Sequence, residues 1–130
     1  MIVLDASIVV ELLLQTPDAQ RIDRRVFAAS EPLHAPHLLD VEVAQVLRRY
    51  AGRRVLTAAR GLAALRILDE FPITRHAHRP LFSRVWSLRA NLTAYDATYV
   101  ALAEVLDATL LTRDPRLATA PGHRAQVEVV

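Results

Sequence analysis

TAYDATYVALAEVLDATLLTRD, residues 93–114, joins a helix to a strand and ends on an acid. Thr93 stands where a helix N-cap belongs, and Asp96 three residues on gives the acidic form of a capping box. From Ala94 to Leu106 only Asp96 and Glu104 interrupt an apolar run, so this helix is read as buried on most sides. Thr109 to Thr112 then makes a short strand, and Asp114-Pro115 turns the chain. A strand without polar alternation, preceded by an apolar helix, suits the interior of a parallel sheet.

The same pattern extends outward to both ends of the chain. Met1 to Leu4 is an apolar strand that also ends on an acid, Asp5, and Ser7 is placed to cap the helix through Ile8, Val9, Leu12 and Leu13. Thr16-Pro17-Asp18 starts a second helix with Pro17 at its first position. Leu33 to Ala35 is a brief extended piece. Pro36 opens a helix whose apolar stripe is Leu39, Val43, Val46 and Tyr50, stopped at Ala51-Gly52. Thr57 caps a helix holding Leu62, Leu65 and Leu68. Phe71 to Thr74 is a short strand, Leu81, Val85 and Leu88 mark another helix, and Gln126 to Val130 is a last strand. Helices and short strands alternating from end to end predict an α/β fold around a mainly parallel sheet. With 130 residues, 52% of them apolar, and no internal repeat or linker, residues 1–130 are expected to form a single domain.

Composition excludes several chemistries. There is no cysteine, so neither disulfides nor thiolate metal sites contribute. All sixteen basic residues are arginine; any phosphate contact must therefore come from guanidinium groups, and mechanisms that need a catalytic lysine are ruled out. A receiver domain and a haloacid-dehalogenase-type phosphatase both fail on that lysine, and the phosphatase also on its second aspartate, where Ser7 stands. No apolar run approaches the roughly 20 residues of a membrane span, and the N-terminus lacks the basic flank of a secretory signal. A cytoplasmic protein without membrane association is expected.

The acids carry the functional reading. Asp5 and Asp114 follow strands, where an open parallel sheet forms its ligand crevice. Glu42 borders an apolar helical stripe, and Asp96 lies in the first turn of the most apolar helix. Each has an ordinary structural explanation: a cap for Asp5 and Asp96, a turn for Asp114, a surface acid for Glu42. Brought into one cleft, however, they would repel one another unless a hard cation such as Mg2+ or Mn2+ stood between them. Such an ion suits phosphodiester hydrolysis.

Four segments strengthen this reading: VLDAS at 3–7, DVEV at 40–43, LTAYDA at 92–97 and LTRD at 111–114. They resemble the acidic motifs of PIN-domain nucleases, and NLTAYDATYVALAE from Asn91 to Glu104 is similar to the VapC toxins of toxin–antitoxin pairs. The resemblance covers essentially the whole chain. It implies a PIN-like three-layer α/β/α domain with a mostly parallel five-stranded sheet. It also implies an Mg2+- or Mn2+-dependent endoribonuclease neutralised by a cognate VapB-type antitoxin, with Asp5, Glu42, Asp96 and Asp114 as the acidic quartet. Asp5 and Asp96 are the first choices for direct metal coordination, and Ser7 and Thr112 fall where the family places hydroxyls near the metal. The region after the fourth acid reads Pro115-Arg116-Leu117, without the further acid some members carry, which leaves one ion or two open. Attack by a metal-activated water, leaving a 5′-phosphate and a 3′-hydroxyl, is the expected mechanism. A housekeeping RNA-processing PIN nuclease and a non-catalytic RNA- or antitoxin-binding module are the alternatives.

Secondary signals are weighed against plainer explanations. Arg113 and Arg116 flank Asp114 and are candidates for substrate contact, whereas Arg48, Arg49, Arg53 and Arg54 are read mostly as favourable charge at a helix C-terminus. His34, His37, His76 and His78 lack metalloprotease spacing and are left out of the site together with His123. Tyr50, Trp86 and Tyr99 are read as core or interface, and Leu102 with Leu106 as a homodimer contact.

Overall fold

Ile2, Val3 and Leu4 are completely buried, and this decides the position of the first strand: it lies at the centre of the sheet with both faces covered. The computed structural model describes residues 1–130. Its elements are β1 (Ile2–Leu4), α1 (Ala6–Leu14), α2 (Ala19–Phe27), β2 (Leu33–Pro36), α3 (Leu38–Gly52), α4 (Ala58–Glu70), β3 (Ile73–His76), α5 (Phe82–Ser87), α6 (Ala94–Leu106), β4 (Thr109–Thr112), α7 (Pro115–Thr119) and β5 (Gln126–Val129). The five strands are ordered β3-β2-β1-β4-β5, and every pairing is parallel. The α/β expectation holds, with a wholly parallel sheet.

The chain builds outward from β1 through β2 to β3, then returns to the other side of β1 for β4 and β5. Crossovers between parallel strands keep one hand, so reversing direction moves the connecting helices to the opposite face. Accordingly α1 packs with α2, α3 and α4, while α6 lies across β1, β2 and β4 with α5 behind it. These are the three layers. The reversal falls between β1 and β4, where Leu4 pairs with Leu111, and it opens a crevice beyond the carboxyl ends of those two strands.

Helix α6 carries the longest unbroken buried run of any helix, from Ala97 through Ala103. Thr93 caps it by accepting the Asp96 N–H at 3.1 Å, and Thr57 caps α4 in the same way. Several expected details are displaced. Helix α2 starts at Ala19, with Asp18 as its N-cap, rather than at Pro17. Strand β3 starts at Ile73 rather than Phe71, because the Phe71 N–H is spent closing α4 onto Leu68. Leu62 is 51% exposed, not interior. Leu102 is buried in the core at 2% exposure, so it offers no surface for a homodimer; Leu106 packs partly buried against that core. No helix is long and apolar enough to cross a membrane.

Candidate active site

The crevice at the β1/β4 reversal is built first around Asp5. Its backbone N–H donates to Leu111 O of β4, which ties the end of β1 to its neighbour. The residue is 9% exposed, and its carboxyl does not cap α1. Instead Oδ2 accepts two hydroxyl protons, from Ser7 Oγ and Thr112 Oγ1, each at 2.7 Å. Each hydroxyl oxygen is occupied in turn: Ser7 Oγ accepts the Arg113 N–H at 3.0 Å, and Thr112 Oγ1 the Asp114 N–H at 3.0 Å. With those acceptor positions taken, both hydroxyl protons are directed to Asp5. Ser7 therefore sits in the first turn of α1 as an orienting group, not as the expected cap. Neutral donors fix one oxygen of Asp5 and leave the other free.

Glu42, on α3, reaches the same crevice half-buried. Tyr99 of α6, 1% exposed, donates its hydroxyl to Glu42 Oε2 at 3.1 Å. Burial pushes the Glu42 carboxyl up to about 7; the Tyr99 hydrogen bond opposes that rise, and the charges of Asp5 and Asp96 add to it. Asp96 is likewise half-buried and raised, by burial first and then by Asp5, with Asp114 adding to the effect. Asp114 differs. Arg116 clasps it through two nitrogens at 2.7 to 3.1 Å, which holds its carboxyl below the usual range, and its Oδ1 also caps α7 through the Arg116 N–H.

The four expected acids thus share one electrostatic neighbourhood, although they come from four different parts of the chain. Asp5, Glu42 and Asp114 line an open cavity of about 310 Å³ together with Ala6, Ser7, Gln45, Val46 and Arg49. Asp96 stands beside that cavity rather than in its wall. No three of the acids are close enough to grip one cation in this arrangement. The donor set nevertheless fits a hard divalent ion: all oxygen, with two carboxylates, Glu42 and Asp96, whose ionisation is disfavoured by burial and by the charge of Asp5.

The arginines expected at substrate have other partners. Arg113 Nη2 binds Asp18 Oδ2 at 2.9 Å, and Arg116 is spent on Asp114. Sequence reasoning missed the Tyr99 hydroxyl and the cleft position of Arg49. Both had a signal in helical spacing, since Tyr99 follows Asp96 by three residues and Arg49 follows Glu42 by seven. None of the five histidines lines the cleft. His34 and His76 pair with each other at 2.9 Å, and His78 accepts the Leu38 N–H at 2.8 Å.

The molecule is thus an α/β domain with acids gathered at the carboxyl end of a parallel sheet. The PIN domain model matches residues 2–122, and the chain belongs to the PIN-domain family. Within that family its relatives are VapC ribonucleases. Ribonuclease VapC9 of Mycobacterium tuberculosis is 45% identical over 130 residues, spanning 100% of this chain and 98% of that one. Ribonuclease VapC12 of the same organism is 41% identical over 130 residues, spanning 100% and 99%. Among solved structures, VapBC2 from Rickettsia felis, bound to a DNA fragment from their promoter, superposes with a TM-score of 0.74 at 15% identity, covering 99% of this chain and 98% of that one. At that identity the likeness concerns the fold alone.

Proposed function

We propose that the chain, acting as one PIN domain, is an Mg2+- or Mn2+-dependent endoribonuclease toxin restrained by a cognate antitoxin. The observation that carries this is the treatment of Asp5: a nearly buried carboxylate oriented by two neutral hydroxyls, with Glu42 and Asp96 raised beside it. Had the cluster been structural, cations would be expected against the buried acids. The ribonuclease names of the relatives and the VapBC complex support the substrate and the antitoxin.

Asp5 and Asp96 are assigned as the main metal ligands, with Glu42 and Asp114 coordinating directly or through water. An ion bound there supplies positive charge to the phosphoryl oxygens and acidifies a water. The chain supplies orientation. Ser7 and Thr112 keep the free oxygen of Asp5 turned to the cleft, Tyr99 fixes the rotation of Glu42, and Arg116 keeps Asp114 ionised.

Purified protein incubated with RNA in Mg2+ is expected to give discrete fragments with 5′-phosphate and 3′-hydroxyl ends. EDTA and Asp5→Asn should each abolish them. Equal cutting by Asp5→Asn, or cyclic-phosphate ends, would overturn the proposal.

A further inference from the structure

Two adjacent arginines of α3 face different surroundings. Arg48 lies with Ala44, Leu47 and Ala51 along the apolar groove toward α4. Arg49, about 100° further round the helix, lines the acidic cleft with Asp5, Glu42 and Asp114. Glu42, Gln45, Val46 and Arg49 recur at the spacing of a single helix face, and all four line the cavity. Seven residues separate Glu42 from Arg49, about 10 Å along the axis.

Arg49 is exposed, and its guanidinium has no ion pair or hydrogen bond within the fold. The nearby arginines that were expected to meet substrate are instead bound by Asp18 and Asp114. Arg49 is thus the one cation in the wall of a cleft otherwise charged by acids, and none of those acids captures it. The helix dipole does not explain its place, because it favours Arg48 or Arg53 equally. The Arg49 guanidinium is free, springs from α3 about two turns beyond Glu42, and is well formed to take a phosphate through two nitrogens.

The geometry points to Arg49 as the receptor for an RNA phosphate flanking the one that is cut. The strand then crosses the cleft along α3, from Glu42 toward Arg49. This assignment rests on the nuclease reading above. It makes Arg49 a substrate-binding residue that sets the path of the RNA, with no part in holding the metal.

The test compares Arg49→Gln, Arg49→Lys and Arg48→Gln with the wild type. Binding of a short labelled single-stranded RNA in Ca2+ is followed across a salt series, and cleavage kinetics are measured in Mg2+. Arg49→Gln is expected to raise Kd and KM about 5- to 10-fold with kcat changed less than about twofold, and to flatten the salt slope by about 0.7, the share of one phosphate contact on a single strand. Arg49→Lys should keep the slope and lose part of the affinity. Arg48→Gln should behave as the wild type. Unchanged binding and slope in Arg49→Gln, with cleavage intact, would overturn this inference alone; an equal loss in Arg48→Gln would reduce it to diffuse charge. A wild type that neither binds nor cuts RNA would remove the nuclease reading, and this one with it.

Discussion

Asp96 and Glu104 interrupt the same apolar helix eight residues apart, about 12 Å along its axis, and the fold treats them in opposite ways. The Glu104 side chain is 8% exposed and is met by Arg84 through two nitrogens at 2.7 and 2.9 Å and by the Arg124 N–H at 2.7 Å. Arg84 holds its carboxyl below the usual range, against the pull of burial. Asp96 is half-buried among acids, and its carboxyl is raised. One end of α6 has its charge matched within the chain. The other end leaves charge unmatched, a local cost that a stable fold tolerates where a ligand supplies the balance. Burial of an acid is therefore uninformative until its partner is known.

Neutralising the acid at each end in turn gives the largest effect. Asp96→Asn should lower RNA cleavage by about 10³-fold, the loss of several kcal/mol of ion-mediated stabilisation, while leaving the fold at least as stable. Glu104→Gln should do the reverse. It strips the partner from Arg84 and should cost about 1–3 kcal/mol of stability, with activity per folded molecule retained. Cleavage assays and urea melts on both variants read the two quantities separately. If Glu104→Gln abolished cleavage in a folded protein, the division between the two ends would be wrong.

How much of this contrast the sequence carries can be judged residue by residue. The strands Ile2–Leu4 and Thr109–Thr112 are legible because short runs with an apolar centre, followed within two residues by an acid, have few other uses in an α/β chain. Their adjacency is not legible: it depends on the chain reversing direction across the sheet after β3. Asp96 and Glu104 look alike in sequence, since what separates them is the approach of Arg84 from α5, twenty positions from Glu104. The partner of Arg113, Asp18, is 95 positions away and equally invisible, whereas the Arg116 clasp on Asp114 spans two residues and follows local geometry. Tyr99 and Arg49 were readable from helical spacing, but the same spacing marks core and solvent faces, so it identifies a site only once the cleft is known.

The pH dependence of stability sharpens the contrast, because raised and lowered carboxyls act in opposite directions. The folded Glu42 carboxyl titrates near 7, above its ordinary 4.5, so the native state holds a proton that the unfolded chain has released between those values. Its ionisation penalty is fully present above pH 7, and stability from this group rises as pH falls toward 4.5. Glu104 has its folded value below 4.5; its contribution is full above 4.5 and is lost as pH falls through the lowered value. In EDTA at pH 8, Glu42→Gln should therefore stabilise the protein by about 1–3 kcal/mol, discounted for partial exposure, and the gain should vanish below about pH 4.5. Denaturation midpoints at several pH values decide it. A Glu42→Gln variant less stable than wild type at pH 8 would show that the cleft does not hold unmatched charge.

The smallest expected effect tests whether a cation is what the cleft lacks. An ion that binds the native state alone stabilises it by mass action, and at several times its dissociation constant Mg2+ should add about 1 kcal/mol, a rise in Tm of a few degrees. Because the acids do not already converge on one point, part of the binding energy goes into drawing them together. That is the reason to expect a modest shift and not a large one. Asp5→Asn should lose the shift, since its free oxygen is the best-oriented ligand. Glu104→Gln, though less stable at the outset, should show the full shift, because Arg84 and Arg124 lie at the other end of α6 and have no part in the cleft. Were the shift equal in Asp5→Asn, Mg2+ would be acting on general surface charge, and the unmatched acids would need another explanation.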